Sequence, residues 1–408
     1  MAVTIQRAKV GWKRLPLSSN YAVAYAVKDL DVDVIAAYPI TPQTTVVEKI
    51  SEFIANGELN AEMIHVESEH SALSATIAAS AAGARAFTAT ASQGLELMHE
   101  ILHIASGLRL PVVMSVATRA LSAPISIWND YSDLMNARDT SWITIIASTA
   151  QEVYDSVVQA FKIAEDPEVM LPVIVAYDGY IMSHTYEPVL VPENNEPILK
   201  YAPKNYNRIK LDPERPVTMG TLASPEWYYE FKYQQVAAME KALDKAREAD
   251  KLFAEYFGRG YGLVEEYMTS DADIVLVAYG GLFGTIKEAI DMMRQNGVRV
   301  GGLRIRLWRP FPAEEVKNAL KNAKLVVVID KAISYGARIA GPVALEVMSA
   351  FYHDAERPSI LSIIAGIGQR RITEETIKEI VDYSRKLLER GRIPNESLYW
   401  GVRGVRYE

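Results

Sequence analysis

Several stretches carry side chains whose type and spacing could do chemistry. Val66-Glu67-Ser68-Glu69-His70 places carboxylates at the end of a strand, just before a helix rich in small residues. Such a carboxylate can act as a general acid–base, or simply sit at a helix start favoured by the helix dipole. Glu69 and Glu67 compete for any such role. Tyr38-Pro39-Ile40-Thr41-Pro42 is a loop closing another strand. Open α/β sheets bind ligands outside the carboxyl ends of their strands, although a threonine there can equally cap the helix that follows. Arg119 comes after the apolar run Pro111-Val112-Val113-Met114-Ser115-Val116. A guanidinium grips a carboxylate through two parallel hydrogen bonds. The apolar neighbours Ala120, Leu121, Ala123 and Pro124 favour a partly enclosed site over a solvated loop. Ser92-Gln93-Gly94 opens a helix after a strand, where backbone N–H groups can face a bound anion or only form a turn and cap.

Other motifs compete. His99-Glu100-Ile101-Leu102-His103 matches the zinc-hydrolase pattern, with both imidazoles on one helix face. A third ligand is needed, yet no Glu lies between Glu100 and Glu152 and no His between His103 and His184. Helix packing is therefore the preferred reading of the pair. Gly280-Gly281-Leu282-Phe283-Gly284 follows a strand and precedes a helix, so it could cradle an anion, but it lacks dinucleotide-binding spacing. The chain has no Cys, which excludes disulfides, thiolate nucleophiles and cysteine-ligated clusters within it.

These residues need a scaffold. A chain of 408 residues is long for one core, so two domains are expected. The first is a βα alternation. Its strands are expected at 34–38, 63–66, 84–90, 110–116, 140–147 and 173–177, with helices at 44–56, 71–82 and 94–106. Residues 188–216 read as an exit linker. A charged, periodic stretch at 225–257 reads as a long helix packed through Tyr229, Phe231, Val236, Met239 and Leu243. A second alternation has strands at 274–278, 298–306, 325–329 and 360–364 and helices at 285–295, 313–322 and 340–352. The expected fold class is α/β with two parallel-sheet domains. Expected boundaries are 1–215, a helical connector 216–270, a second domain 271–395 and a tail 396–408. No apolar run is long enough to span a membrane, and Met1–Arg7 lacks the apolar stretch of a signal peptide. With a net charge of −8, a general nucleic-acid binder is disfavoured, and a cytoplasmic location is expected.

In order along the chain, the Thr41 loop, the Glu69 segment, Thr90-Ala91-Ser92-Gln93-Gly94-Leu95, Arg119-Ala120-Leu121-Ser122-Ala123-Pro124, Arg138-Asp139-Thr140 and Arg309-Pro310-Phe311-Pro312 resemble the alpha subunits of 2-oxoacid:ferredoxin oxidoreductases, the pyruvate synthase family. The resemblance implies a pyrimidine-binding thiamine diphosphate domain followed by a transketolase C-terminal-like domain. It implies oxidative decarboxylation of a 2-oxoacid to an acyl-coenzyme A, with electrons passed to ferredoxin. Glu69 would be the acid–base partner of the aminopyrimidine ring. Thr41 and Arg119 would bind the oxoacid, and Pro39, Ile40, Ser92, Gln93 and Gly94 would line the cofactor. Asn129, Asp130 and Asp133 resemble the family's acidic segment near the site.

The resemblance also implies partners. The Gly-Asp-Gly motif that holds the Mg²⁺-diphosphate, and any C-x-x-C, are missing from this chain. A beta subunit would supply the Mg²⁺ site and a [4Fe-4S] cluster. Ferredoxin-like gamma and delta subunits would complete a dimer of heteromers, active only as a complex. Pyruvate is the favoured substrate. Branched-chain and aryl oxoacids stay open because paralogues share these motifs, whereas a relative acting on oxalate has arginine in place of Thr41. The Gly366-Ile367-Gly368-Gln369-Arg370-Arg371 run departs from the relatives' Gly-Leu-Gly-Gly-Arg-Asp, so no role carries over to it. A non-catalytic transketolase-like scaffold and a zinc hydrolase are the competing readings.

Overall fold

A computed structural model of the chain describes residues 10–205, 207–405 and 407. The Met1–Arg7 reading falls outside these residues. Buried, near-continuous apolar runs such as Val113–Thr118 and Val173–Asp178 form the inner strands of a seven-stranded sheet. Strands buried on both faces need helices on both faces, which βα crossovers supply. The strand order is Leu307–Arg309, Ile143–Ile146, Val173–Asp178, Val113–Thr118, Ala86–Thr90, Val34–Ala37, Glu62–His65. All neighbours are parallel except Leu307–Arg309, which runs antiparallel to Ile143–Ile146.

A second sheet has the order Leu398–Tyr399, Ser359–Ile364, Leu325–Asp330, Ile274–Ala278, Val300–Ile305, Val264–Tyr267. It is parallel apart from Val264–Tyr267, which pairs antiparallel with Val300–Ile305.

Three features depart from the sequence reading. The stretch 188–216 is not a plain linker. Its start lies in the strand Glu187–Pro192, which pairs antiparallel with Trp12–Leu17, and it also contains the helix Glu196–Tyr201. Two pieces assigned outside the second domain belong to its sheet, Val264–Tyr267 from the connector and Leu398–Tyr399 from the tail. Edge strands this short carry too little periodicity to read. Conversely, Leu307–Arg309 crosses back to the first sheet.

The long helix Pro225–Phe257 forms as expected, but its packing face differs. Ala238, Ala242, Ala246, Ala249 and Phe253 are buried, while Tyr229, Phe231 and Val236 are exposed. Alanines at spacings of three and four make a smooth ridge that allows close approach to a neighbouring helix. Met239 and Leu243 pack at its margin.

Buried ions join the two domains. Glu152, on the helix Ala150–Ala164, accepts from Arg304 Nη1 at 3.0 Å and Arg306 Nε at 2.9 Å. The two arginines hold its carboxyl below the usual range against the opposing pull of burial. Removing one member of such a buried set costs about 3–5 kcal/mol, because the others stay charged and unpaired. Among the described residues, no helix is long and apolar enough to cross a membrane.

Candidate functional site

The strand order decides which loops meet. Val113–Thr118, Ala86–Thr90, Val34–Ala37 and Glu62–His65 are successive neighbours and parallel. Their carboxyl ends therefore share one rim, and the loops leaving it carry Arg119, Ser92–Gly94, Thr41 and Glu69 in that order. Four segments scattered over nearly 80 residues of sequence thus lie side by side, where ligands bind in such sheets.

Glu69 is the first residue of the helix Glu69–Ala81, whose N-cap Ser68 accepts from the Ser71 N–H at 3.2 Å. It is 6% exposed, whereas its rival Glu67 is exposed and bonded to the Ser71 hydroxyl. Its carboxylate packs on the backbone of Gly94, where an added Cβ would lie 2.7 Å from Glu69 Oε1. The same Cβ would run into the Thr90 hydroxyl. Gly94 is therefore required by close approach. The Thr90 hydroxyl is buried without a hydrogen-bond partner, and it shares the Gly94 position with Glu69. A buried polar atom left unpaired is costly unless a ligand or water meets it.

Arg119 is only 7% exposed. Its Nη1 donates to the Thr41 carbonyl at 2.9 Å and its Nε to the Ser126 carbonyl at 2.8 Å. Among the described residues, no carboxylate lies within ion-pair distance of the guanidinium and its Nη2 has no hydrogen-bond partner. Burial lowers its pKa, and the Asp133 charge opposes that shift. A buried cation with neutral acceptors on one side and a free edge on the other has the chemistry to receive an anion.

Thr41 does not cap its helix. The helix Thr44–Ala55 starts without a side-chain cap, and the N–H groups of Gln43 and Thr44 go to the Ile40 carbonyl. The Thr41 side chain faces the exterior beside Tyr38 and Pro39, with Ile40 half-buried.

Ser92 has φ of 50°, and its hydroxyl donates to the Ala120 carbonyl at 2.7 Å. Asp133 explains that turn. One oxygen, Oδ2, accepts from the N–H groups of both Ser92, at 2.8 Å, and Arg119, at 3.0 Å. Burial pushes the Asp133 carboxyl up to about 8, while these backbone donors pull it down. A residue read only as lying near the site is thus the pin between two of its loops.

The remaining motifs have their own places in the fold. The Gly280–Gly281 turn does hold an anion, but it is the protein's own: Gly281 N–H donates to Asp178 Oδ2 at 2.6 Å. His99 and His103 stand with ring centroids 5.3 Å apart, and no group of three or more His, Cys, Asp or Glu able to hold a metal occurs among the described residues. The helix expected at 94–106 is two segments, Gln93–Leu97 and His99–Gly107, meeting at Met98. Gln43 was not anticipated. It is fully buried two residues from Thr41, with both side-chain polar atoms unpartnered. Its place next to the Thr41 loop was the one available signal.

Residues 25–251 match the family model of the pyruvate flavodoxin/ferredoxin oxidoreductase thiamine diphosphate-binding domain, and residues 272–377 match pyruvate:ferredoxin oxidoreductase core domain II. Fold and models together define an oxidoreductase subunit with a thiamine diphosphate-binding first domain. The chain belongs to the pyruvate flavodoxin/ferredoxin oxidoreductase family. It is 47% identical to pyruvate synthase subunit PorA of Pyrococcus abyssi, over 96% of this chain and 98% of that one. It is 51% identical to the PorA subunit of Methanocaldococcus jannaschii, over 91% and 94%. Ketoisovalerate oxidoreductase subunit VorA of Pyrococcus abyssi is 44% identical over 93% and 95%. The fold resembles a 2-oxoglutarate:ferredoxin oxidoreductase from Magnetococcus marinus, with a TM-score of 0.69 and 19% identity. That match covers 90% of this chain and 65% of the other. A split-gene transketolase superposes with a TM-score of 0.54 at 12% identity, covering 91% and 99%.

Proposed function

We propose that this chain is the alpha subunit of a pyruvate:ferredoxin oxidoreductase and contributes the oxoacid-binding and pyrimidine-facing half of its active site. The observation that carries this reading is Arg119, a buried guanidinium that has no counter-ion among the described residues and is bonded to the backbone of the Thr41 loop. Pyruvate presents the carboxylate such a cation lacks. The relatives favour pyruvate over ketoisovalerate by a narrow margin, 45–51% against 44% identity among the pyruvate synthase and ketoisovalerate subunits compared.

Thiamine diphosphate fits the residues present. The buried Glu69 carboxylate and the unpartnered Thr90 hydroxyl meet at Gly94, which offers a ring both a proton partner and a polar contact. When bound, the cofactor supplies a carbon nucleophile for the 2-oxo group and a sink for the electrons left by departing carbon dioxide. Glu69 would share a proton with the aminopyrimidine ring. Arg119 would fix the oxoacid carboxylate through its free Nη2 edge, and the Thr41 hydroxyl would contact the oxoacid from the neighbouring loop. Pro39, Ile40, Ser92, Gln93 and Gly94 would line the cofactor.

The remaining half of the site is assigned to partners. This chain offers neither Cys nor a Gly-Asp-Gly motif. A beta subunit would hold the Mg²⁺-diphosphate and a [4Fe-4S] cluster, and gamma and delta subunits would relay electrons to ferredoxin, with coenzyme A as acyl acceptor. The whole would be a cytoplasmic dimer of heteromers. The rim agrees with a partner surface, since Tyr38, Ile125, Ile127, Trp128 and Ile181 are all exposed near it. The test is to reconstitute the complex and assay a panel of 2-oxoacids with a viologen acceptor and coenzyme A. Pyruvate should give the highest kcat/KM. A preference for 2-oxoisovalerate would make this a branched-chain enzyme, and turnover by no oxoacid would leave the scaffold reading.

A further inference from the structure

The loop that presents Arg119 is held from the other domain. Asn129 is fully buried. Its Nδ2 donates to Thr118 Oγ1 at 2.7 Å and to the Thr118 carbonyl at 3.0 Å, next to Arg119 in the chain. Its Oδ1 accepts from Lys331 Nζ, and its N–H donates to Gln369 Oε1 at 3.2 Å. Both of those residues belong to the second domain. Lys331 also pairs with Asp178 Oδ1 at 2.5 Å, and its carbonyl accepts from the Tyr131 N–H at 2.9 Å. Gly368 N–H donates to Asp130 Oδ2 at 3.1 Å. Apart from the Lys331–Asp178 pair, these contacts all fall on residues 129–131. The same loop returns to the anchor twice, through the bond from Ala120 N–H to the Trp128 carbonyl and through Ser126, whose carbonyl holds Arg119 Nε.

Gln369 has φ of 61°, a backbone conformation that favours glycine. Lys331 is a nearly buried cation. Each is a cost that bulk folding does not require, and both converge on one loop. We propose that the second domain sets the position of the oxoacid anchor, with Lys331 and Gln369 as positioning residues acting on Arg119 through Asn129. This rests on the reading of Arg119 as the carboxylate anchor. It gives a role to the Gly366–Gln369 turn, for which the sequence offered none.

The test uses the reconstituted complex with three variants. Gln369→Gly removes the acceptor while suiting the left-handed backbone, and the residue is only half-buried, so folding should survive. It should raise KM for pyruvate about three- to tenfold, the worth of one neutral hydrogen bond. The kcat value, KM for coenzyme A, thiamine diphosphate affinity and melting temperature should stay near wild type. The paired change Lys331→Met with Asp178→Asn avoids stranding one buried charge and should raise the same KM further. Arg119→Lys is the control. If it raises KM for pyruvate while Gln369→Gly and the paired change do not, the positioning role is wrong and the anchor reading stands. A fall in kcat or melting temperature without a change in KM marks a merely structural contact and also overturns the proposal. If Arg119→Lys itself leaves pyruvate kinetics unchanged, the anchor reading fails and the positioning role falls with it.

Discussion

Replacing Arg119 by lysine tests the site most directly. The guanidinium has three jobs along its fork. Nη1 reaches the Thr41 carbonyl at 2.9 Å, Nε reaches the Ser126 carbonyl at 2.8 Å, and Nη2 is the edge proposed to take the substrate carboxylate. Lysine keeps the charge but concentrates it on one nitrogen that cannot span these positions. At least one charged hydrogen bond must be lost, worth roughly 1.5–3 kcal/mol. That corresponds to about a ten- to hundredfold fall in kcat/KM for the oxoacid. Every 2-oxoacid accepted should suffer, because all share the carboxylate and differ only in the side chain. Thiamine diphosphate affinity should barely change, since Arg119 is assigned to the oxoacid and the diphosphate to the partner. The assay is steady-state kinetics on the reconstituted complex, with two oxoacids and a cofactor titration. Unchanged oxoacid efficiency, or a loss confined to cofactor binding, would refute the assignment.

Other expectations follow from the same geometry. Glu69→Gln should leave assembly intact and sharply slow deuterium exchange at the thiazolium carbon, while the exposed Glu67→Gln should not; the reverse pattern would move the acid–base role by two residues. Gly94→Ala would drive a methyl to 2.7 Å from Glu69 Oε1, so displacement of the carboxylate should weaken thiamine diphosphate binding by an amount in the range of about 1–3 kcal/mol, read by cofactor titration. The chain purified alone should be colourless and inactive, because it has no Cys to ligate a cluster; intrinsic visible absorption or unaided turnover would contradict the multi-subunit reading. Burial raises the Asp29 carboxyl to about 6 against the Tyr154 hydrogen bond. The folded state therefore binds the extra proton, and stability should fall as pH rises from about 4 to about 6. Asp29→Asn should remove this loss, gaining about 2–3 kcal/mol relative to wild type between those limits in urea titrations.

Strong, local signals were readable in the chain. Val46, Val47, Ile50 and Phe53 mark the inner face of the helix Thr44–Ala55, and all four are buried. The inner strands were legible as apolar runs. Short edge strands such as Leu398–Tyr399 and Leu307–Arg309 were not, because two or three residues carry no period. On the long helix, the large side chains were the wrong guide. Tyr229 and Phe231 face out, while the alanine row packs inward.

For the site, the sequence by itself determined which side chains were available. It supplied Glu69, Thr41 and Arg119 on loops after strands, withheld Cys and the diphosphate motif, and left Glu67 and Glu69 in competition. Tertiary structure distinguishes those carboxylates by burying Glu69 and leaving Glu67 exposed. Only parallel strand order brings Arg119 beside the Thr41 loop, since 78 residues separate them and no local pattern records which strands pair. Only close approach explains Gly94, and only the packing of the second domain connects Lys331 to Asn129, 202 residues away in the chain. Local periodicity reports what a residue can do for its own element. Adjacency across a sheet or between domains is set by the cheapest burial of the whole apolar surface, which no single segment encodes.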